Sequence, residues 1–212
     1  MDVLPVVKYT VLPKCNKYTL DQCAHLFSNH YAIWDTNKKR VKLTSEKLRN
    51  EYMFDDRCML AIAQINDEII GQCFTIKDKH DIIWITQLVV HENYRRRGIA
   101  KELLHLSLQK QWNIVCMATS NPYSIQALQS VLNITFHPQP DLAQFVLQEC
   151  PVPYLYGKSY HISGSTINTE FYICHEEVNK IIKNKLSEQT WIFASELPHG
   201  HEFFVVFKSN YI

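Results

Sequence analysis

Between Ile82 and Val90 the chain reads Ile-Ile-Trp-Ile-Thr-Gln-Leu-Val-Val, a run too apolar for a strand with one wet face and flanked by charged turns. Such a run predicts a strand buried on both faces in the middle of a sheet. From Gly98 the spacing changes. Ile99, Leu103 and Leu106 form one row and Ala100, Leu104 and Leu108 the next, with Lys101, Glu102, His105 and Gln109 outside the stripe, so a helix begins near Gly98.

Upstream, Val6 to Val11 predicts a first strand ended by Pro13, and Leu20 to Trp34 a helix with Asp21 in its first turn. Thr44 or Ser45 is placed to cap a short helix through Tyr52. Met59 to Ile65 and Glu68 to Ile76 flank Asn66-Asp67, a two-residue connection suited to a β-hairpin. Lys77 to His80 then turns into the apolar run, giving three consecutive antiparallel strands. Downstream, Asn113 to Thr119 predicts a short buried strand, parallel to its predecessor because a helix intervenes. Ser120-Asn121-Pro122 starts a further helix, with Ser or Asn as cap and Pro in the first turn. Residues 134–168 are loop-rich, with Pro138, Pro140, Pro151 and Pro153, one helix at Asp141 to Gln148 and an extended Val152 to Tyr156. Thr169 to Cys174 reads as a strand, Glu176 to Leu186 as a helix and Glu202 to Phe207 as a closing strand.

The chemistry concentrates in Arg95-Arg96-Arg97-Gly98-Ile99-Ala100, which sets basic side chains and a residue without Cβ where the unpaired N–H groups of a helix start point outward. Cations at that end of a helix are unfavourable unless an anion neutralises them, so a diphosphate is a suitable guest. The alternative is a solvated basic turn that caps a core helix.

Arg95-x-x-Gly98-x-Ala100, directly after a buried strand ending Leu88-Val89-Val90, resembles the (Gln/Arg)-x-x-Gly-x-(Gly/Ala) motif of the GNAT superfamily of acyl-CoA N-acyltransferases. The resemblance implies an α/β (α+β) fold: a mixed, mainly antiparallel twisted sheet with helices on both faces and a splayed pair of parallel central strands. It implies one domain over residues 1–212, with an insertion at about 134–168 that shapes the acceptor pocket. Arg95, Arg96, Arg97, Gly98, Ile99 and Ala100 would hold the pyrophosphate of acetyl-CoA, chiefly through their amides. Leu88, Val89 and Val90 would face pantetheine and the thioester. Asn121, at the start of the next helix, fits a cofactor contact in this family and equally a plain helix cap. Leu197 to Phe203 together with Asn168 to Phe171 resembles a fungal-like branch of the same family.

The implied reaction is acetyl transfer from acetyl-CoA to a primary amine by direct attack in a ternary complex, with no metal. A lysine-like amine has a pKa of about 10.4, so a base must take its proton and a donor help the thiolate leave. Two positions depart from the family. Trp84 stands where some members carry an acidic base on the central strand, and Leu128 where many carry a tyrosine. The remaining base candidates are Glu202, His201, His199 and Glu170; Tyr123 is the hydroxyl nearest Asn121 in sequence and suits packing as well as proton donation. Cys174 beside His175 is a lesser nucleophile candidate, and His199-Gly200-His201 lacks a third metal ligand. Two alternatives stay open: a catalytically silent GNAT-fold protein that binds acyl-CoA or regulates, and a nucleotide-binding module that does not use coenzyme A.

The 212 residues, 46% of them apolar, suffice for one sizeable core, and a formal net charge of +1 gives no support for nucleic acid as a partner. Seven cysteines without a C-x-x-C pair read as reduced core residues, and neither a leader sequence nor an apolar run of spanning length is apparent. A cytoplasmic protein with no membrane partner is expected. The acceptor amine and the oligomeric state are not readable.

Overall fold

Asn66 and Asp67 both adopt left-handed backbone, with φ of 48° and 66°. Two such residues in a row make the turn whose twist matches a right-handed pair of strands. They join β2 (Cys58–Ile65) to β3 (Glu68–Asp78) as a hairpin. The computed structural model describes residues 6–109, 111–150, 152–155, 162–163, 165–188 and 190–209. Around this hairpin lie β1 (Lys8–Leu12), β4 (Ile82–Val90), β5 (Ile114–Thr119), β6 (Ile162–Ser163), β7 (Thr166–Asn168) and β8 (His201–Lys208). Among the described residues they form one eight-stranded sheet, ordered β1-β2-β3-β4-β5-β8-β7-β6. Every pairing is antiparallel except β4 with β5. The mixed sheet, its single parallel pair and the central place of β4 agree with the sequence reading.

A parallel pair needs a crossover, and α3 (Ile99–Ser107) supplies it. α3 and α4 (Pro122–Leu132) cover one face, where Ile99, Leu103, Leu104, Ile125 and Leu128 pack on Ile83, Ile85 and Val115. The other face carries α1 (Lys17–His30) and α2 (Ser45–Tyr52), whose Leu20, Phe27 and Leu48 meet Phe74 and Val89. On that second face α5 (Pro140–Glu149) covers Trp84, Cys116, Phe204 and Val206. α6 (Glu176–Ser187) packs against α4. Among the described residues no helix is long and apolar enough to cross a membrane.

Several boundaries differ from expectation, each for a local reason. α1 starts three residues earlier than Leu20 because Asn16 caps it, its Oδ1 accepting from Thr19 N at 2.9 Å, so Asp21 lies beyond the first turn. It stops at His30, and Ile33 and Trp34 instead bridge to Arg40 and Ile173. Thr44, not Ser45, caps α2 by accepting from Lys47 N at 3.1 Å. Pro153–Leu155 forms a 3-10 turn rather than an extended segment, and Tyr156 lies outside the described residues. The strand expected over Thr169 to Cys174 is displaced to Thr166–Asn168. Asn168 Oδ1 accepts from Glu170 N at 3.0 Å and Glu170 takes a φ of 56°, which ends the strand and leaves Ile173 as an isolated bridge.

Gly71 sets how closely α3 approaches β3. A Cβ there would stand 2.9 Å from Ile99 Cγ2, 3.0 Å from Leu103 Cδ1 and 3.4 Å from Ala63 Cβ. Gly71→Ala is expected to lower the unfolding free energy by about 1–3 kcal/mol through overpacking, read from urea titration.

Candidate functional site

The β4–β5 ladder runs from Ile82↔Ile114 to Ile85↔Met117 and stops, although β4 continues to Val90 and β5 to Thr119. The break coincides with a bulge. β3 pairs Thr75 with Ile85 and Phe74 with Gln87, leaving Thr86 as an extra residue, its Oγ1 donating to Phe74 O at 3.1 Å. A bulge bends its strand, here away from β5.

Beyond the bulge, opposed pairs alternate between those that exchange hydrogen bonds and those that do not. His91 N donates to Ile70 O at 2.8 Å, so Val89↔Gln72 and Gln87↔Phe74 are the bonded pairs. The N–H groups of Leu88 and Val90 therefore turn away from β3, into the gap left by β5.

At the foot of this gap the chain passes through Arg96 at φ 61° and Gly98 at φ 83° before entering α3. Gly98 is the cap residue and offers no side-chain acceptor, so the first-turn amides of α3 lack a side-chain cap. A Cβ on Gly98 would meet nothing within 4 Å. The glycine thus serves the left-handed turn and leaves open space in front of the helix start.

The three arginines play different parts. Arg95 donates from Nε to Val90 O at 3.1 Å and from Nη2 to His30 O, bracing the end of α1 against the loop. Arg97 stacks over Tyr94 at 5.4 Å. Arg96 stacks over Tyr123 at 5.4 Å, with Nη2 3.5 Å from its hydroxyl. Tyr123, 42% exposed, sits in the first turn of α4, and Asn121 caps that helix by accepting from Tyr123 N at 3.0 Å. The Asn121 side-chain oxygen is thereby engaged as a cap.

Trp84 and Leu128, which replace expected catalytic types, are fully buried. Trp84 donates from Nε1 to Cys150 O at 2.8 Å and stacks on Phe204, while Leu128 packs in the α3–α4 core.

On the α1–α2 face, Glu202 at the start of β8 is 6% exposed and accepts from Thr169 Oγ1 at 2.8 Å. Three phenols stand near enough to feel its charge. Burial pushes the pKa of Tyr31, Tyr52 and Tyr154 up, and Glu202 adds to the rise in each. Tyr52 stacks on Tyr154 with ring centres 5.9 Å apart. Beside Tyr52, Gln72 Nε2 donates to Gln87 Oε1, while Gln72 Oε1 and Gln87 Nε2 have no hydrogen-bond partner among the described residues. The cluster draws on α2, the 3-10 turn, β3, β4 and β8, and on the residues that follow α1 and β7. Sequence reasoning named Glu202 and missed the other members. Gln72 and Gln87, polar residues inside apolar strands, were the available signal.

Alternation along β8 sends His201 to the face opposite Glu202. His201 Nδ1 lies 3.1 Å from His199 O, and His199 Nε2 lies 3.3 Å from Asp35 Oδ2. Glu170 is exposed at the turn after β7. Lys38 Nζ lies 3.6 Å from Cys174 Sγ. No group of three or more possible metal ligands occurs among the described residues.

The bulged central strand, the parallel strand that leaves it and the basic turn entering a helix all fall within one stretch of the chain, from β4 to the start of α4. The chain belongs to the acetyltransferase (GNAT) family, whose model matches residues 23–130, from α1 into α4. Several solved structures are similar to the chain at low identity. A diaminobutyrate acetyltransferase from Paenibacillus lautus, in complex with L-2,4-diaminobutyric acid and coenzyme A, is 19% identical, with 61% of this chain and 74% of that chain covered and a TM-score of 0.43. The ribosomal-protein-S18-alanine N-acetyltransferase of Escherichia coli is 16% identical over 63% of this chain and 86% of that one, with a TM-score of 0.47. A Bacillus subtilis acetyltransferase in complex with coenzyme A is 13% identical over 96% and 99%, with a TM-score of 0.46. No curated protein matches the chain.

His175 caps α6 without a side-chain bond, and its buried Nε2 has no partner among the described residues. Burial lowers its pKa, with His199 and His201 acting in the same direction and the Leu197 backbone and Asp35 against it. The folded pKa is below the unfolded value of about 6.5, so this contribution to stability is complete above that pH and is lost as pH falls through the folded value. His30, also lowered by burial, titrates in the same direction. Denaturant unfolding from pH 7 to 5 is expected to show a shallower acid loss in His175→Gln than in the wild type.

Proposed function

We propose that this protein transfers an acetyl group from acetyl-CoA to a primary amine by direct attack within a ternary complex. The observation that carries the reading is the pair of β4 amides, Leu88 and Val90, freed into the gap by the Thr86 bulge and standing above an uncapped, basic helix start. The residues fit such a donor. Amides of Arg96 to Ala100 suit a diphosphate, Arg96 and Arg97 add charge, and the open space before Gly98 admits it. Val89 and the gap suit the pantetheine arm. When bound, acetyl-CoA supplies an activated thioester. The Leu88 and Val90 amides hold its carbonyl oxygen and stabilise the negative charge that develops there.

On the other face, Glu202 takes a proton from the acceptor ammonium, directly or through water, so that the neutral amine attacks the thioester carbon. Thr169 fixes the carboxylate, and the tyrosines limit access of water around it. Tyr123 and Arg96 border the path of the leaving thiolate on the donor side, and Asn121 lines that edge. His199, against Asp35, and His201 serve the outer rim. The seven cysteines, all free, favour a reducing, cytoplasmic compartment. Residues 1–212 act as one domain in this reading, with the 134–168 stretch supplying Tyr154 to the acceptor wall.

A second reading, an acyl-CoA-binding protein without turnover, draws on the burial of Trp84 and Leu128 where catalytic types are expected. Turnover with a panel of amines decides between the two.

Two variants test the reading. Gly98→Glu places bulk and negative charge in the open space before α3, and calorimetric titration is expected to show coenzyme A binding lost by a folded protein; unchanged affinity overturns the loop assignment. Glu202→Gln is expected to keep coenzyme A affinity and lower kcat about 10²–10⁴-fold, with the acidic limb that the carboxylate sets removed from the pH–rate profile. A rate within threefold of wild type would place the base elsewhere.

A further inference from the structure

Lys185 lies in the last turn of α6, where a cation suits the negative end of the helix. Its side chain nevertheless turns inward. The residue is 7% exposed, and its ammonium stands 5.0 Å from the centre of the Tyr123 ring. Arg96 addresses the same ring from 5.4 Å. Two cations thus share one aromatic ring, and among the described residues neither has a carboxylate within ion-pair distance. Burial lowers the Lys185 pKa, and the charge of nearby Glu188 only opposes that shift. A buried ammonium without a counter-ion in ion-pair range is unfavourable. The ring belongs to the first turn of α4 and Arg96 to the turn before α3, whose first amides have no side-chain cap. An anion seated between these helix starts would satisfy all three demands.

We propose that Lys185 is a phosphate ligand for the donor: with Arg96 it holds the diphosphate of coenzyme A at the start of α3. α6 lies outside the span matched by the family model, so the cofactor site is completed by a helix from the C-terminal part of the chain. The inference rests on the donor reading given above.

The test is calorimetric titration of the full chain with coenzyme A, 3′-dephospho-coenzyme A and acetyl-pantetheine, in wild type, Lys185→Met and Lys185→Arg, with folding checked by circular dichroism. Loss of one charge-assisted contact is expected to weaken both coenzyme A species by about tenfold in Lys185→Met, with acetyl-pantetheine unchanged and Lys185→Arg close to wild type. Unchanged coenzyme A affinity in folded Lys185→Met overturns the proposal. An effect confined to coenzyme A moves the contact to the 3′-phosphate and overturns the diphosphate assignment, and an equal loss for acetyl-pantetheine marks a structural role. Wild-type protein that binds none of the three removes the donor reading and this one together. If Lys185→Met does not fold, the Lys185 side-chain resonance of isotope-labelled wild type, assigned through Lys185→Arg, decides: it shifts with coenzyme A and not with acetyl-pantetheine, and a resonance unmoved by bound coenzyme A overturns the proposal.

Discussion

One extra residue in β4 governs the geometry of this molecule. Without Thr86 the β4–β5 ladder has no reason to end at Ile85, and the N–H groups of Leu88 and Val90 would pair with β5 as ordinary sheet. The bulge holds because Thr86 Oγ1 satisfies Phe74 O, and because Gln87 and Val89 resume regular pairing with β3 at once. A sheet interior tolerates unpaired backbone donors only where something else meets them. The gap is therefore a polar surface inside an otherwise apolar layer, and helices on both sides are arranged around it.

The two sides of the gap differ in charge. Towards the α3–α4 face lie Arg96, Arg97 and Lys185 with two helix starts. On the α1–α2 face lie Glu202, three phenols and two glutamines. β4 is the partition, carrying Gln87 on one face and Leu88 on the other. The two faces thus offer different electrostatic surroundings, and they communicate at the edge where the strand is unpaired.

Much of this was legible along the chain. The bounds of β4, the hairpin at Asn66-Asp67, the helix start at Gly98 and the cap at Asn121 all follow from local rules of burial, turn chemistry and helix termination. The errors arose where tertiary packing overrides local pattern. Tyr31 and Trp34 continue the apolar period of α1, yet they pack from a loop. Thr169, Phe171, Tyr172 and Ile173 are strand-forming types, yet the Asn168 turn ends β7 before them. The bulge at Thr86 leaves no mark in composition, because threonine is at home in any strand. The group around Glu202 was invisible for a different reason: its members come from five separate elements and two loops, and only folding makes them neighbours. Lys185 escaped notice because a lysine ending a helix reads as ordinary surface.

Arg95 gives this arrangement a mechanical side. Its guanidinium grips Val90 O at the mouth of the gap and His30 O at the end of α1. Tyr31, the next residue, is a wall of the Glu202 cluster. A single side chain therefore ties the basic turn to the Glu202 cluster, across one peptide bond. Movement of the turn either carries α1 with it or breaks one of these hydrogen bonds, so the two halves of the site share a hinge pin and keep their relative alignment.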